Sequence, residues 1–179
     1  LEEPENHLTY SKLSRLLNDI EKVGSSKQIF VTTHSSFVAN KLGLKKLILL
    51  KKQNTMKFSD LSEDTQDFFM KKPGYDTLRF LLCAEAILVE GDADELVVQR
   101  AYKDKYSKLP IENEIDIISV GTTFLRFLEI AEKLEKQTVV VTDNDGDITA
   151  LERKYSNYIG KNSKEYINIC YDNKMHTNQ

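Results

Sequence analysis

The sequence predicts an α/β fold built on a parallel sheet flanked by helices. Three observations lead there. Short apolar runs alternate with helical stretches through the second half of the chain, two of those runs end abruptly in carboxylates and a glycine, and no internal repeat or low-complexity tract interrupts the alternation. The two runs are Ala86-Ile87-Leu88-Val89-Glu90-Gly91-Asp92-Ala93-Asp94 and Val139-Val140-Val141-Thr142-Asp143-Asn144-Asp145-Gly146-Asp147. A buried strand that delivers acids to the rim of a parallel sheet has this look, and open α/β sheets bind ligands outside the carboxyl ends of their strands.

The elements follow in order. From His7 to Val23, Leu8, Leu13, Leu16, Leu17, Ile20 and Val23 recur at three and four, marking one helix face, and Gly24 supplies the stop. Gln28-Ile29-Phe30-Val31-Thr32 is short, β-branched and apolar and is expected as a buried strand. Thr33-His34-Ser35 then forms a strand-end loop, Ser35 or Ser36 caps a short helix through Leu42, and Lys46 to Leu50 is a further strand. Between Lys51 and Gly74 the composition turns polar and closes on the turn signal Lys71-Lys72-Pro73-Gly74, which places a domain boundary here. One short helix is expected inside this stretch, from Leu61 to Met70 with Ser59 or Ser62 as cap, and Tyr75 to Ala84 reads as a helix through Leu78, Leu81 and Leu82. The second unit alternates: strand 86–90, helix 93–105, strand 115–120, helix 123–134, strand 138–142, helix 148–159 and strand 166–170. Such alternation implies βαβ crossovers and helices on both faces of the sheet.

The 179 residues are 40% hydrophobic, enough for one large or two small globular cores. No apolar run approaches the roughly 18–20 residues that span a bilayer, and Leu1-Glu2-Glu3-Pro4 has no signal-peptide character, so no membrane is implied. Two cysteines, Cys83 and Cys170, without metal-ligand spacing fit a reduced, cytoplasmic setting. The chain opens on Leu1 without an initiator Met and reads as a piece of something longer. A net charge of −3 argues against a simple electrostatic nucleic-acid binder, although a carboxylate site that loads a cation presents positive charge to phosphate.

The acids carry the chemistry. Glu90 ends a strand, Gly91 permits a sharp turn, and Asp94 lies one helical turn on. Asp143 and Asp145 are separated by one residue, Gly146 frees the backbone, and Asp147 starts the next helix. Hard oxygen ligands at this density suit Mg²⁺ or Mn²⁺, which take remaining ligands from water and substrate phosphate. Helix N-terminal placement accounts for Asp94 and Asp147 through the macrodipole, but not for Glu90, Asp143 and Asp145 at apolar strand ends. An EF-hand loop starting at Asp143 would need Gly and Glu where Ile148 and Lys154 stand. A phosphoacceptor aspartate of the receiver type is the remaining alternative.

Val89-Glu90-Gly91-Asp92-Ala93-Asp94, followed by a strand ending Asp143-Asn144-Asp145 with Ile117-Ile118-Ser119-Val120-Gly121 between, resembles the Toprim domain of topoisomerases, bacterial primases and OLD-family (overcoming lysogenization defect) nucleases. Leu1 to Leu8 looks like an ABC-type Walker B strand entering a D-loop, and Val31 to Ser35 like the switch-histidine loop. An ABC ATPase followed by Toprim resembles the OLD nucleases, including the Gabija-like class of anti-phage systems. The resemblance implies residues 1–52 as the end of an ATPase domain, 53–82 as linker and 83–179 as a C-terminally incomplete Toprim domain. It implies Glu90, Asp94, Asp143 and Asp145 as catalytic metal ligands with Asp147 assisting, Glu2 holding Mg²⁺ through water, Glu3 polarising the attacking water and His34 sensing the γ-phosphate. It further implies metal-dependent cleavage of DNA, ATP binding in the full-length protein, a homo-oligomer (dimer or tetramer) and a helicase-like partner.

The chain departs from that pattern in lacking a Gly-x-x-x-x-Gly-Lys-[Ser/Thr] phosphate cradle. The family's further acid and lysine have no counterpart, since Lys161, Lys164 and Lys174 are scattered, and His7 and His176 have no evident partners. Two competing readings follow: a topoisomerase- or primase-type Toprim enzyme, and a non-catalytic ATPase-Toprim assembly module.

Overall fold

The computed structural model describes residues 1–24, 27–51, 54–71 and 75–172. The turn at Lys72-Pro73-Gly74, Lys174 and His176 lie outside the described residues. The chain divides into two compact units, Leu1–Leu78 and Arg79–Gln179.

The first unit packs α1 (Tyr10–Val23) against α2 (Ser36–Leu42). Leu13, Leu17 and Val38 form its buried cluster, with Ile20, Val31, Phe37 and Leu42 around it, so the three-and-four spacing of α1 is spent as expected. Ser35 caps α2, its Oγ accepting from Val38 N at 3.4 Å. The expected buried strand 28–32 is corrected by the structure. Thr32 makes a single parallel bridge to Glu2, Phe30 is 69% exposed and Ile29 is 36% exposed. Leu1 to Glu3 lies alongside this segment and pairs with it: Leu1 N donates to Phe30 O, Thr32 N to Leu1 O and Glu3 N to Thr32 O. A buried parallel strand needs neighbours on both edges, and among the described residues only this one is present.

β1 (Ile48–Lys51) forms an antiparallel hairpin with β2 (Asn54–Lys57), in register Ile48↔Lys57 through Lys51↔Asn54. β2 falls in the polar stretch expected to hold one short helix; Met56 alone is apolar in it, and one buried side chain gives no readable alternation. That helix, α3 (Glu63–Lys71), follows, and α4 (Tyr75–Leu82) leads into the second unit.

In the second unit β3 (Glu85–Val89), α5 (Asp92–Tyr106), β4 (Ile115–Ser119), α6 (Phe124–Leu134), β5 (Thr138–Val141), α7 (Ile148–Lys154) and β6 (Ile167–Cys170) alternate. All three strand pairings are parallel and the spatial order is β4-β3-β5-β6. From β3 the chain steps to β4 on one side, returns past β3 to β5 on the other, and continues outward to β6. β3 and β5 therefore flank the point where the winding reverses. α6 packs on the sheet, and Leu88, Ile118 and Val140 of the strands and Phe124, Leu128, Ile130 and Ala131 of α6 are all fully buried. α5 buries no residue, with Leu96 and Val97 about two-thirds exposed. α7 stops five residues short of its expected end, because Tyr155 and Tyr158 turn inward through tighter bonds, Tyr158 N donating to Tyr155 O at 2.8 Å. Among the described residues no helix is long and apolar enough to cross a membrane.

Lys136, 1% exposed, joins the loop before β5 to the end of α4. Its ammonium donates to the carbonyls of Phe80, Leu81 and Cys83 and lies 5.2 Å from the Phe80 ring centroid. A cation at a helix C-terminus satisfies carbonyls that have no helical partner. Burial raises the pKa of the neighbouring Cys83 thiol, opposed by the Lys136 charge. Lys136→Met, which leaves those carbonyls without a donor, is expected to lower stability by about 1–3 kcal/mol in urea denaturation; an unchanged midpoint would refute the clamp.

Candidate active site

The acids emerge at the reversal of the sheet. β3 pairs with β5 in register Ala86↔Thr138, Ile87↔Val139 and Leu88↔Val140. Continuing that register sets Glu90 level with Thr142, one residue before Asp143. On its other side the Glu90 carbonyl accepts from Gly121 N at 3.0 Å and Ser119 Oγ at 3.2 Å, which holds the β3 rim against the end of β4. The Glu90, Asp143 and Asp145 side chains are exposed.

Residues 81–145 match the family model described as overcoming lysogenization defect protein-like, TOPRIM domain. This stretch of the chain is similar to the OLD-like Toprim family. No curated protein matches the chain. The matched stretch contains Glu90, Asp94, Asp143 and Asp145, and Asp147 lies just beyond it. Toprim domains bind divalent metals and point to metal-dependent action on nucleic acid.

The side chains of this unit differ from expectation in one respect. Among the described residues no three Asp, Glu, His or Cys side chains stand close enough together to hold a metal ion. Glu90 and Asp143 stand just beyond the ends of β3 and β5, Asp94 lies in the first turn of α5 and Asp145 in the turn after β5. Like charges repel, and two of the acids have nearby amides to satisfy. Asp94 Oδ2 accepts from Gly91 N at 2.9 Å, across the first turn of α5. Asp147 Oδ1 accepts from Ala150 N at 2.9 Å and caps α7.

Carboxylate oxygens are the kind of donor that hard divalent cations take. Such ions keep several waters and take one or two carboxylates from the protein, so a complete protein cage is not required. Exposed Glu90 and Asp143 on neighbouring strand ends supply that number, with Asp145 close in sequence and the second oxygens of Asp94 and Asp147 still available.

Three residues that sequence reasoning missed shape the rim. Asn144 is 9% exposed, and its side chain accepts from Gly146 N at 2.9 Å and donates to Asp172 O at 2.6 Å. It thereby fixes a turn in which Asp145 (φ +48°) and Gly146 (φ +76°) are both left-handed. Thr142 and Tyr155 lie beneath the rim. Tyr155 is fully buried against Phe124, and its hydroxyl makes no well-formed hydrogen bond. Burial pushes its pKa up to about 12; the Thr142 hydroxyl opposes the rise and the Glu90 carboxylate adds to it. The signal for Asn144 was its place between two aspartates before a glycine; Tyr155 left none, because α7 ends earlier than its periodicity indicates.

In the first unit the structure brings two of the three ATPase-like residues together. His34 Nε2 lies 3.5 Å from Glu3 Oε1, and Asn6 Nδ2 donates to Glu3 Oε2. Glu2 contributes its backbone bridge to Thr32, and its side chain is exposed. The residue that ties the loop down is Glu5, whose Oε1 accepts from Thr33 Oγ1 at 2.6 Å and His34 N at 3.1 Å. Burial raises the Glu5 pKa, but the bonds from Thr33, its own amide, His34 and Ser35 outweigh it and hold the carboxyl below 4.5. A lowered folded-state pKa stabilises fully above the ordinary carboxylate range, and the contribution fades as pH falls through the lowered value. Carboxyl ¹³C titration is therefore expected to place the Glu5 midpoint below 4.5, with Glu5→Gln removing this part of the acid sensitivity.

Proposed function

We propose that this protein is a divalent-metal-dependent DNA endonuclease of the OLD type, hydrolysing phosphodiesters or nicking duplex DNA, governed by an ABC-type ATPase domain and acting in anti-phage defence in the cytoplasm. The observation that carries the reading is the placement of Glu90 and Asp143 just beyond the ends of two adjacent parallel strands that flank the reversal point of the sheet, inside a stretch that matches the OLD-like Toprim family.

In this reading Glu90, Asp94, Asp143 and Asp145 hold Mg²⁺ or Mn²⁺, and Asp147 assists. The ion supplies positive charge against the negative charge that develops on the phosphate. Glu90, held by its carbonyl against β4, and Asp143, held by the turn around Asn144, keep the two rims at fixed spacing. Water is the attacking group, and no side chain forms a covalent intermediate. Residues 1–52 are read as the end of the ATPase domain, with ATP bound in the full-length protein. The contact between Glu3 and His34 supports that reading, because it sets an acid suited to orient water beside a histidine suited to sense phosphate. A homo-oligomer, dimer or tetramer, and a helicase-like partner complete the proposal.

The test is cleavage of supercoiled plasmid with Mg²⁺ or Mn²⁺ by the protein and by its Glu90→Ala and Asp143→Ala variants. Nicking or linearisation is expected, and it should vanish in both variants. Cutting that survives both places the activity elsewhere, and an inactive parent favours the assembly-module reading.

A further inference from the structure

The outer face of α5 gathers the apolar surface that the second unit leaves uncovered. Glu95, Val98, Gln99 and Tyr102, at three-and-four spacing, are half-covered and mark the side of the helix that packs on β3 and β4. Leu96, Val97, Arg100, Ala101 and Asp104 stand on the other sides and are exposed. Of the large apolar side chains exposed in the described part of this unit, all but Leu125 fall between Leu96 and Ile111. They are Leu96, Val97, Tyr106, Leu109 and Ile111. The turn Pro110–Asn113 folds back on α5, where Asn113 Nδ2 donates to the Tyr102 hydroxyl at 2.7 Å and the Tyr102 and Tyr106 ring centroids lie 4.5 Å apart, so the five belong to one region. Single exposed apolar residues are ordinary; a run of them on one helix and the turn packed beside it marks a surface that meets another chain.

The charges on α5 say which chain. Asp92, Asp94 and Glu95 occupy its first turn, and Lys103 and Lys105 its last. Between them Arg100 Nε donates to both Asp104 carboxylate oxygens at 2.9 Å, so the middle of the face carries no net charge. A helix charged in this way repels a parallel copy of itself and attracts an antiparallel one, in which each acidic turn meets the partner's basic turn about a two-fold axis.

We propose that α5 is a self-association surface on which a second copy of this chain lies antiparallel, with Val97 near the two-fold axis and Asp92 opposite Lys105 of the partner subunit. The inference rests on the homo-oligomer reading and names its surface. With two large apolar side chains at its centre the interface belongs to the small class, below about 1,200 Å² in total. The dimer is therefore weak, and its affinity falls with salt.

Sedimentation velocity over a concentration series, at low and high NaCl, compares the protein with Val97→Arg, Asp92→Lys, Lys105→Glu and an equimolar mixture of the last two. The parent is expected to dimerise reversibly, less so in high salt, and Val97→Arg to weaken it roughly 10-fold or more with an unchanged far-UV circular dichroism spectrum. Each charge variant alone sets like charges opposite each other at both ends and should dimerise less. Their mixture restores both opposite-charge pairs and should dimerise at least as well as the parent, a recovery that neither a folding defect nor a contact within one chain produces. Should Val97→Arg fail to fold, the mixture alone decides. A parent dimer that Val97→Arg leaves unchanged overturns the α5 surface and keeps the homo-oligomer reading. A mixture no better than its components overturns the antiparallel arrangement. A parent that stays monomeric overturns the surface and the homo-oligomer reading together and leaves the face to a partner of another kind.

Discussion

The parallel pairing of β3 with β5 is the constraint on which the site depends. Neither strand is followed by the other in sequence, since α5, β4 and α6 intervene. Because β4 takes the far side of β3, the chain must come back across the sheet to lay down β5. At that reversal the segments leaving β3 and β5 diverge, one toward α5 and the other toward α7. Open parallel sheets bind ligands in the space between such segments, and an exposed acid stands just beyond the end of each strand. The buried row of Leu88, Ile118 and Val140 against α6 locks this arrangement, since a slip of one residue would turn apolar side chains out of the core.

Gathering acids at one edge carries an electrostatic cost, and the local structure offsets part of it. Asp94 and Asp147 lie in the first turns of α5 and α7, where free amides and the helix dipole favour negative charge. Each uses one carboxyl oxygen on its own helix and keeps the second. Glu90, Asp143 and Asp145 remain in solvent, where water screens their repulsion. An acidic rim of this kind repels phosphate until a cation reverses its sign. The net charge of −3 and an affinity for nucleic acid are therefore compatible.

Much of this was legible in the sequence, for a physical reason. Strands buried on both faces read as unbroken apolar runs, and each of β3, β4 and β5 was located to within a residue. The acid after each run marked where the chain leaves the sheet. Elements held by few apolar contacts were not legible: β2 has one buried side chain, and segment 28–32 has apolar character without the neighbours that would make it a buried strand. The same chemistry thus gave a correct strand at 138–142 and a misplaced one at 28–32, the difference lying in partners that no local pattern encodes.

The direction of a side chain at a rim is a further step removed from sequence. Spacing set Asp94 one turn beyond Glu90 and suggested a common focus, but spacing is silent on whether an amide nearer by will claim the carboxylate. Gly91 N does so at 2.9 Å. The same limit holds beneath the sheet, where Tyr155 is fully buried against Phe124 although nothing in its spacing marks it. Packing against Phe124 places the ring, and the Thr142 hydroxyl at the strand end acts on its oxygen, a pairing between residues thirteen apart that local periodicity does not encode.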